Sequence, residues 1–447
     1  MSDLGELVAI AVAEAADGEE VEAFATEGRQ TEVSALRGEV EGMTFAEERG
    51  VGVRLIADGR LGYAYGADPT PAEVVAAVAR ARENAALAEP DEHNGLPEAE
   101  PFETLPELFR AGSAAVSVDE KVRRALDLEA YAVSRDPRVT KVELAQVGDA
   151  VARVAIASTR GVDASYERTD AWVVVVPLAV EGDETQTGFS FQVARGLDEL
   201  ASEPVADEAV DRAMSMLGAV KPATAKVPIV LDPFAASSFL GVLAGALSAE
   251  SVLKGRSLFA DMAGQQVGSP AFTLVDDGRR LDGPGACPFD GEGVPSGRTE
   301  LFTAGTLNGF LHDTYTARRT GGDQRSTGNA KRGGYKGAPG VGTSNFFIEP
   351  GEPSFDELLA RAEGGVLIRD VSGVHSGANP ISGEFSVGAT GLRIEGGTLG
   401  EPLREMTIAS TLPEMLEGIS AVGSDFRFFS SVGTASILIG QMTLAGV

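Results

Sequence analysis

Apolar and polar positions alternate along most of residues 21–66, as a half-buried strand requires, and in "VGVRLIADGRLGYAYG" the alternation breaks only at Asp58-Gly59. An Asp-Gly pair between two alternating runs signals a type I′ hairpin, whose central residues both take positive φ. A β-meander is predicted. The period then changes. In "TPAEVVAAVARARENAALA" the apolar residues fall at helical spacing, with Thr70 as N-cap, Pro71 at the first helical position and Glu73 as capping-box partner. A second helix is predicted over 118–133. Two further strand segments follow, "KVELAQVGDAVARVAIAST" and "DAWVVVVPLAVEGDETQTGFSFQVA", with turns expected at Gly148-Asp149 and Gly182-Asp183. After the helical "ADEAVDRAMSMLGAV", the polar, proline-containing "KPATAK" reads as a joint between domains.

Past that joint, "VPIVLDP" is a strand, and Asp232-Pro233 opens a helix whose Phe239, Val242, Leu243 and Leu247 share one face, with small residues between them. From Gly268 onward the chain is mostly strands and glycine-rich loops. Two short helices interrupt it, one capped by Ser354 with Glu357 and one near 413–419. No fixed-period repeat occurs, which argues against a solenoid. The expected fold class is α+β. Residues 1–220 form an N-terminal α+β domain, and residues 221–447 form a β-rich domain with a large curved antiparallel sheet or barrel.

Length and composition agree with this division. A chain of 447 residues exceeds one ordinary core, and its 55 glycines suit a β-rich protein with many turns and close backbone approaches. The net charge of −30 argues against nucleic acid, which needs a concentrated basic surface. Cys287 is the single cysteine, which excludes an intramolecular disulfide and any multi-cysteine metal site. No apolar run approaches the roughly 18 residues of a membrane span, and the first apolar run is flanked by acids where a signal peptide carries basic residues. A soluble, cytoplasmic protein is expected.

Candidate chemistry is sparse. His93, His312 and His375 are far apart in sequence, so no HExxH or HxH pair exists. In "PFDGEGVPSGR" the spacing of Asp290 and Glu292 puts both carboxylates on one side of an extended chain, near Arg298. Such a pair suits acid/base work or cation binding, or it is an acidic turn whose carboxylates accept amide hydrogen bonds. "GFLHDTYTARR", read as a strand, carries His312, Thr314 and Thr316 on one face, so His312 is either a cavity-facing catalytic group or a satisfied structural one. Arg318 and Arg319 lead into a glycine-rich basic stretch ending at Arg332, fit for a peptide carboxylate or an acidic partner, or simply solvated. "VHSGANPISGEFSVGATG", with His375, Asn379 and Glu384, runs into a strand and so is no phosphate loop. It suits a backbone-rich groove for an extended peptide.

Taken in order, these segments resemble the TldD/PmbA family of peptidases, and the PmbA (TldE) branch in particular. The resemblance rests on "GVGVRLIADGRLGYAYG", "GRSLFADMAGQQVGSPAFTLVDDG", "PFDGEGVPSGRTELFTAGTLNGFLHDTYTARR", "STGNAKR", "NPISGEFSVGATGLRIEGG" and the closing "ILIGQMTLAG". It implies a dimer enclosing a cavity that takes unfolded or small peptides. In the TldD branch a helix carries HExxxH, which with a late cysteine resembles a three-ligand zinc site with an open position. Matching on the following "KGRS" puts Leu240, Gly241 and Gly245 at the His, Glu and His positions here. The late segment "SSVGTASILIG" also lacks cysteine.

The resemblance therefore implies a metal-free subunit with no cofactor of its own, which closes the chamber and binds peptide. A zinc-bearing TldD-like partner would perform the hydrolysis. Arg318, Arg319, Asn329, His375, Asn379 and Glu384 are its candidate peptide or partner contacts. The alternative is a homodimeric, metal-independent amide hydrolase or condensing enzyme, with His312 and Asp290 or Glu292 as its first candidate catalytic groups.

Overall fold

A computed structural model describes residues 3–446. Helix α1 (Leu4–Ala13) precedes three antiparallel strands, β1 (Glu19–Leu36), β2 (Glu39–Ala57) and β3 (Arg60–Ala67). The predicted turn is present, with φ of 51° at Asp58 and 72° at Gly59, and Arg37-Gly38 makes a similar turn between β1 and β2. Next come α2 (Pro71–Leu87), α3 (Ala111–Ala114), α4 (Val118–Ser134), β4 (Val139–Ser158), β5 (Asp163–Glu181), β6 (Glu184–Thr187), β7 (Ser190–Ala194) and α5 (Ser202–Met214). The strands make one sheet in the order β3-β2-β1-β4-β5-β6, with β7 also on β5. Helices cover it in two separate places. One core joins α1 and α2 to Val21, Ala23, Val51, Val53 and Leu55. The other joins α4 and α5 to Val33, Ala35, Val147 and Val173.

Two local expectations are corrected here. Gly148-Asp149 is not a turn, because β4 runs through it: Gly148 lies opposite Trp172, and a Cβ there would fall 2.3 Å from the indole, while the Asp149 carboxylate pairs with buried Lys121 at 2.6 Å. That glycine serves close packing. Thr70 does cap α2, but the Glu73 carboxylate pairs with Arg80 at 2.7 Å and leaves the capping box half made.

The second half begins with β8 (Ala225–Leu231). Asp232 then caps α6 (Pro233–Ala246), accepting from the Ala235 N–H, and α7 (Ala249–Leu253) follows. The chain continues through β9 (Leu274–Asp277), β10 (Arg298–Thr303), β11 (Thr306–Leu307), α8 (Thr314–Thr320), β12 (Ala330–Lys331), β13 (Gly340–Val341) and β14 (Phe346–Ile348). It ends with α9 (Phe355–Arg361), β15 (Val366–Ser372), α10 (Val374–Gly377), β16 (Glu384–Glu395), β17 (Thr398–Thr411), α11 (Leu412–Gly418), β18 (Ile419–Val422), β19 (Arg427–Phe429), β20 (Val432–Thr434) and β21 (Ile437–Ala445). Strands β17-β16-β15-β8-β21 close into a five-stranded barrel, since β21 pairs back onto β17 at Ile408 and Leu444. One neighbouring pair, β8 with β15, is parallel. A second sheet runs β11-β10-β9-β14-β20-β19. Helix α6 shares one continuous core with both, through Phe239, Leu240 and Leu243 against Leu231, Phe346, Phe385 and Ile437. Among the described residues, no helix is long and apolar enough to cross a membrane.

Candidate functional site

Two places compete for function: the outer face of α6, and a polar cluster where the N-terminal sheet meets the second half. In α6 the Leu240 side chain is fully buried, whereas Gly241 and Gly245, one helical turn apart, are exposed with open space where a Cβ would stand. An imidazole at 240 would enter the core, and the two glycines have no side-chain donor. The zinc of an HExxxH site therefore does not fit these positions. The late segment expected to lack cysteine runs beside α6 as β20. Its Thr434 hydroxyl donates to Ala435 O at 3.0 Å, and the Ser436 hydroxyl donates to Asp425 at 2.6 Å. No group of three or more His, Cys, Asp or Glu able to hold a metal occurs among the described residues.

The loop over 374–384 borders the same region, since its Val374 and Ala378 pack against the core that holds α6, and Leu258 N–H donates to Pro380 O at 3.1 Å. His375, Asn379 and Glu384 are all exposed here. The Asn379 side chain accepts from Ile381 N–H at 2.8 Å and shapes the turn, while Ile381 stands 53% exposed beside it. These three predicted contacts face solvent together.

The polar cluster is denser in titratable groups and less available. Asp290 accepts from three backbone N–H groups, those of Glu292 at 2.9 Å, Val294 at 3.0 Å and Ala330 at 2.9 Å. Glu292 accepts from Arg54 at 2.7 Å and from the Thr314 N–H at 2.9 Å. Arg54 also holds Glu22 at 2.7 Å, and Glu22 in turn pairs with Arg332. Burial, then the charge of Glu292, pushes the Asp290 carboxyl up despite its three amide donors. Burial raises Glu292 too, but Arg54 and the Thr314 bonds more than offset it and hold it below the usual carboxylate range. The acidic-turn reading of Asp290 is the one the geometry displays. Arg298 takes no part, being paired with Glu349 at 2.7 Å on the second sheet.

The region around His312 departs from expectation. Residues 314–320 form helix α8, not a strand, because Asp313 and Thr316 make a reciprocal capping box. His312 is 4% exposed and its Nδ1 has no partner. Burial lowers its pKa, so the ring is neutral near pH 7, and neither Asp290 nor Glu292 orients it. The dyad that acid/base chemistry requires is not assembled.

In the basic stretch, residues 318–325 are exposed, but its first two arginines are engaged within the chain. Arg318 donates to Leu96 O at 2.9 Å, and Gly95 leaves room for it, since a Cβ there would meet the guanidinium at 1.7 Å. Arg319 donates to the Tyr315 hydroxyl at 3.0 Å, which donates to Asp91 at 2.8 Å. Asn329 is buried and donates to Asp276 at 2.7 Å and to Gly342 O at 3.1 Å, so it serves the interior. Sequence reasoning missed Glu22 and Arg54, and it read Arg332 as the end of a contact loop where the structure pairs it with Glu22. The available signal was a charge inside an otherwise apolar strand run, as in "VGVRLIA".

Three consecutive stretches match peptidase domains: 21–85 the PmbA/TldA metallopeptidase domain 1, 112–217 its central domain, and 224–446 its C-terminal domain. A long antiparallel sheet with two helical covers, followed by a closed barrel and a second sheet that share a core with α6, is thus a peptidase-family scaffold. The chain belongs to the PmbA/TldD family. It is 28% identical to the metalloprotease PmbA of Escherichia coli O157:H7, over 96% of this chain and 92% of that one. The crystal structure of TldE from Thermococcus kodakarensis superposes with a TM-score of 0.89 at 26% identity, covering 99% of each chain. The metalloprotease TldD homolog of Haemophilus influenzae is 28% identical, over 90% of this chain and 85% of that one.

Proposed function

We propose that this chain is the metal-free, TldE-like subunit of a TldD/TldE-type peptidase complex. It is cytoplasmic, closes the chamber and holds part of the peptide. A TldD-like partner supplies zinc and hydrolysis. The observation that carries this reading is α6, whose exposed Gly241 and Gly245 and buried Leu240 offer neither a ligand nor a base where a metallopeptidase keeps them. The likeness to TldE over 99% of each chain supports the same branch. The solvent-facing loop with His375, Asn379 and Glu384 beside α6 is the peptide or partner contact under this reading, and the exposed Arg318 and Arg319 are already engaged by Leu96 O and the Tyr315 hydroxyl.

The test is to purify the chain alone and together with a TldD-like chain, and to assay cleavage of an unstructured peptide with and without chelator. No turnover alone and chelator-sensitive turnover together is expected. Chelator-resistant turnover by the single chain that vanishes in His312→Ala would replace this reading with the homodimeric, metal-independent amide hydrolase or condensing enzyme.

A further inference from the structure

Strand β2 is 19 residues long, yet it is paired on both sides only over part of its length. Strand β1 pairs with all of it except Glu41, but β3 pairs only with Gly50–Ala57. Among the described residues, no backbone hydrogen bond from any element except β1 reaches residues 39–48. That is a free edge about ten residues long, and an open edge is a ready template for another extended chain. The short strands and prolines that usually blunt such an edge are missing here, and its one bulge is the extra residue Glu41 close to the turn.

The edge is also apolar on one face. Val40, Met43 and Phe45 are 40%, 43% and 60% exposed. Their cross-strand partners are Ala35, Val33 and Thr31, and the first two lie in the core beneath α4 and α5. Opposite residues in an antiparallel pair point to the same face, so the three exposed side chains extend that core outward past its helical cover. Glu39, Glu41 and Glu47 punctuate the same stretch, while Glu48 is already held by Lys336 at 2.8 Å. The adjacent Arg49 is already held by Glu27 at 3.1 Å. A cleft of about 490 Å³ beneath the edge brings Glu27, Glu47, Glu48 and Asp68 to its lining alongside Arg29 and Arg153.

We propose that residues 39–48 dock an extended segment of a partner polypeptide, one that is apolar on one face and carries lysine or arginine between its apolar residues. Main-chain hydrogen bonds to β2 supply affinity, the ridge of Val40, Met43 and Phe45 takes the apolar side chains, and the glutamates select the basic ones. A second copy of this chain is the wrong occupant. Pairing two such edges sets glutamates against glutamates, which is destabilising across a strand pair. The inference is independent of the reading of α6, because it concerns the opposite end of the N-terminal sheet's hairpin and requires no peptidase activity.

The probe is an acetylated, amidated heptapeptide alternating lysine and valine, added to the full chain and followed by hydrogen exchange. Amide exchange within 39–48 should slow roughly tenfold or more at saturating peptide. Protection should be lost when alternate peptide amides are N-methylated, and should weaken in Phe45→Glu. In Glu41→Lys/Glu47→Lys the preference should switch to the glutamate–valine peptide. Both sites are exposed or at the rim, so the variants retain the fold, checked by circular dichroism. Equal protection by the N-methylated peptide, or none by the parent, overturns strand addition. Protection that rises with protein concentration in the absence of peptide overturns the choice of partner and assigns the edge to a second copy.

Discussion

The junction around Arg54 and the outer face of α6 differ in nearly every respect that is used to find active sites. The junction gathers Glu22, Arg54, Asp290, Glu292 and Arg332 within a few ångströms, all but Arg332 at 5% exposure or less. The α6 face has two glycines and no titratable group at the matched positions. Yet every carboxylate of the charged junction is engaged, accepting from an arginine or from backbone amides, and the atoms left without a partner around it, Arg54 Nε, Thr314 Oγ1 and His312 Nδ1, are buried. The bare face is the one open to a ligand. A high density of perturbed groups does not by itself mark a functional site, because structural ion-pair networks shift pKa values too. Here the density marks a seam: Arg54 comes from β2 and Glu292 from a loop 238 residues later, and the pair fastens the sheet to the second half.

Removing the cation at that seam tests the contrast most severely. Arg54→Ala leaves Glu22 and Glu292 buried without their shared guanidinium, and breaking a buried pair in this way costs about 3–5 kcal/mol. Urea unfolding followed by circular dichroism should register that loss, with the N-terminal sheet and the barrel separating into two transitions. A loss below about 1 kcal/mol would mean that Arg332 or water takes over and that the seam is not what joins the halves.

A second measurement probes the same seam by pH. The folded-state pKa of Asp290 lies above its unfolded value, chiefly through burial and then through the charge of Glu292. The native state therefore binds this proton more tightly than the unfolded chain does. Stability from this group is complete below the ordinary carboxylate range and declines as pH rises from there towards neutrality. Relative to Asp290→Asn, which stays neutral throughout, the wild type should lose up to about 4 kcal/mol across that interval, the rise from 3.8 to about 7 being worth about 1.4 kcal/mol per unit. A flat difference between wild type and variant would show that the three amide donors keep Asp290 ionised.

The local grammar of the chain was legible, and the long-range pairing was not. Asp58-Gly59, the Asp232 cap of α6, the Ser354/Glu357 box of α9 and the short helix at Leu412–Gly418 all follow from residues within four positions of one another. Helix α8 obeyed the same grammar, but the alternation of His312, Thr314 and Thr316 masked the Asp313 and Thr316 box. Gly148-Asp149 misled for a different reason. A glycine needed for backbone freedom and one needed to seat an indole look alike in sequence, and only the register that brings Trp172 opposite separates them. Barrel closure through β17 and β21, and the pairing of Arg54 with Glu292, depend on partners too distant for any local pattern to announce.

Gly245 makes the comparison at its finest scale. Gly148 has its missing side chain replaced by Trp172, whereas Gly245 faces open space in the last turns of α6. If the α6 face has no structural duty, Gly245→Ala should simply recover helix propensity and stabilise the chain by about 1 kcal/mol, since glycine costs that much against alanine in a helix interior. A rise in Tm of the isolated chain would register it. Peptidase activity of the complex with a TldD-like chain then separates an idle face from a used one. A stabilised chain with unchanged complex activity leaves the face idle, and a stabilised chain with diminished activity means that peptide or partner approaches the α6 backbone too closely to accept even one methyl group. Gly245 would then be kept for contact at the expense of stability, as expected for a surface retained for binding.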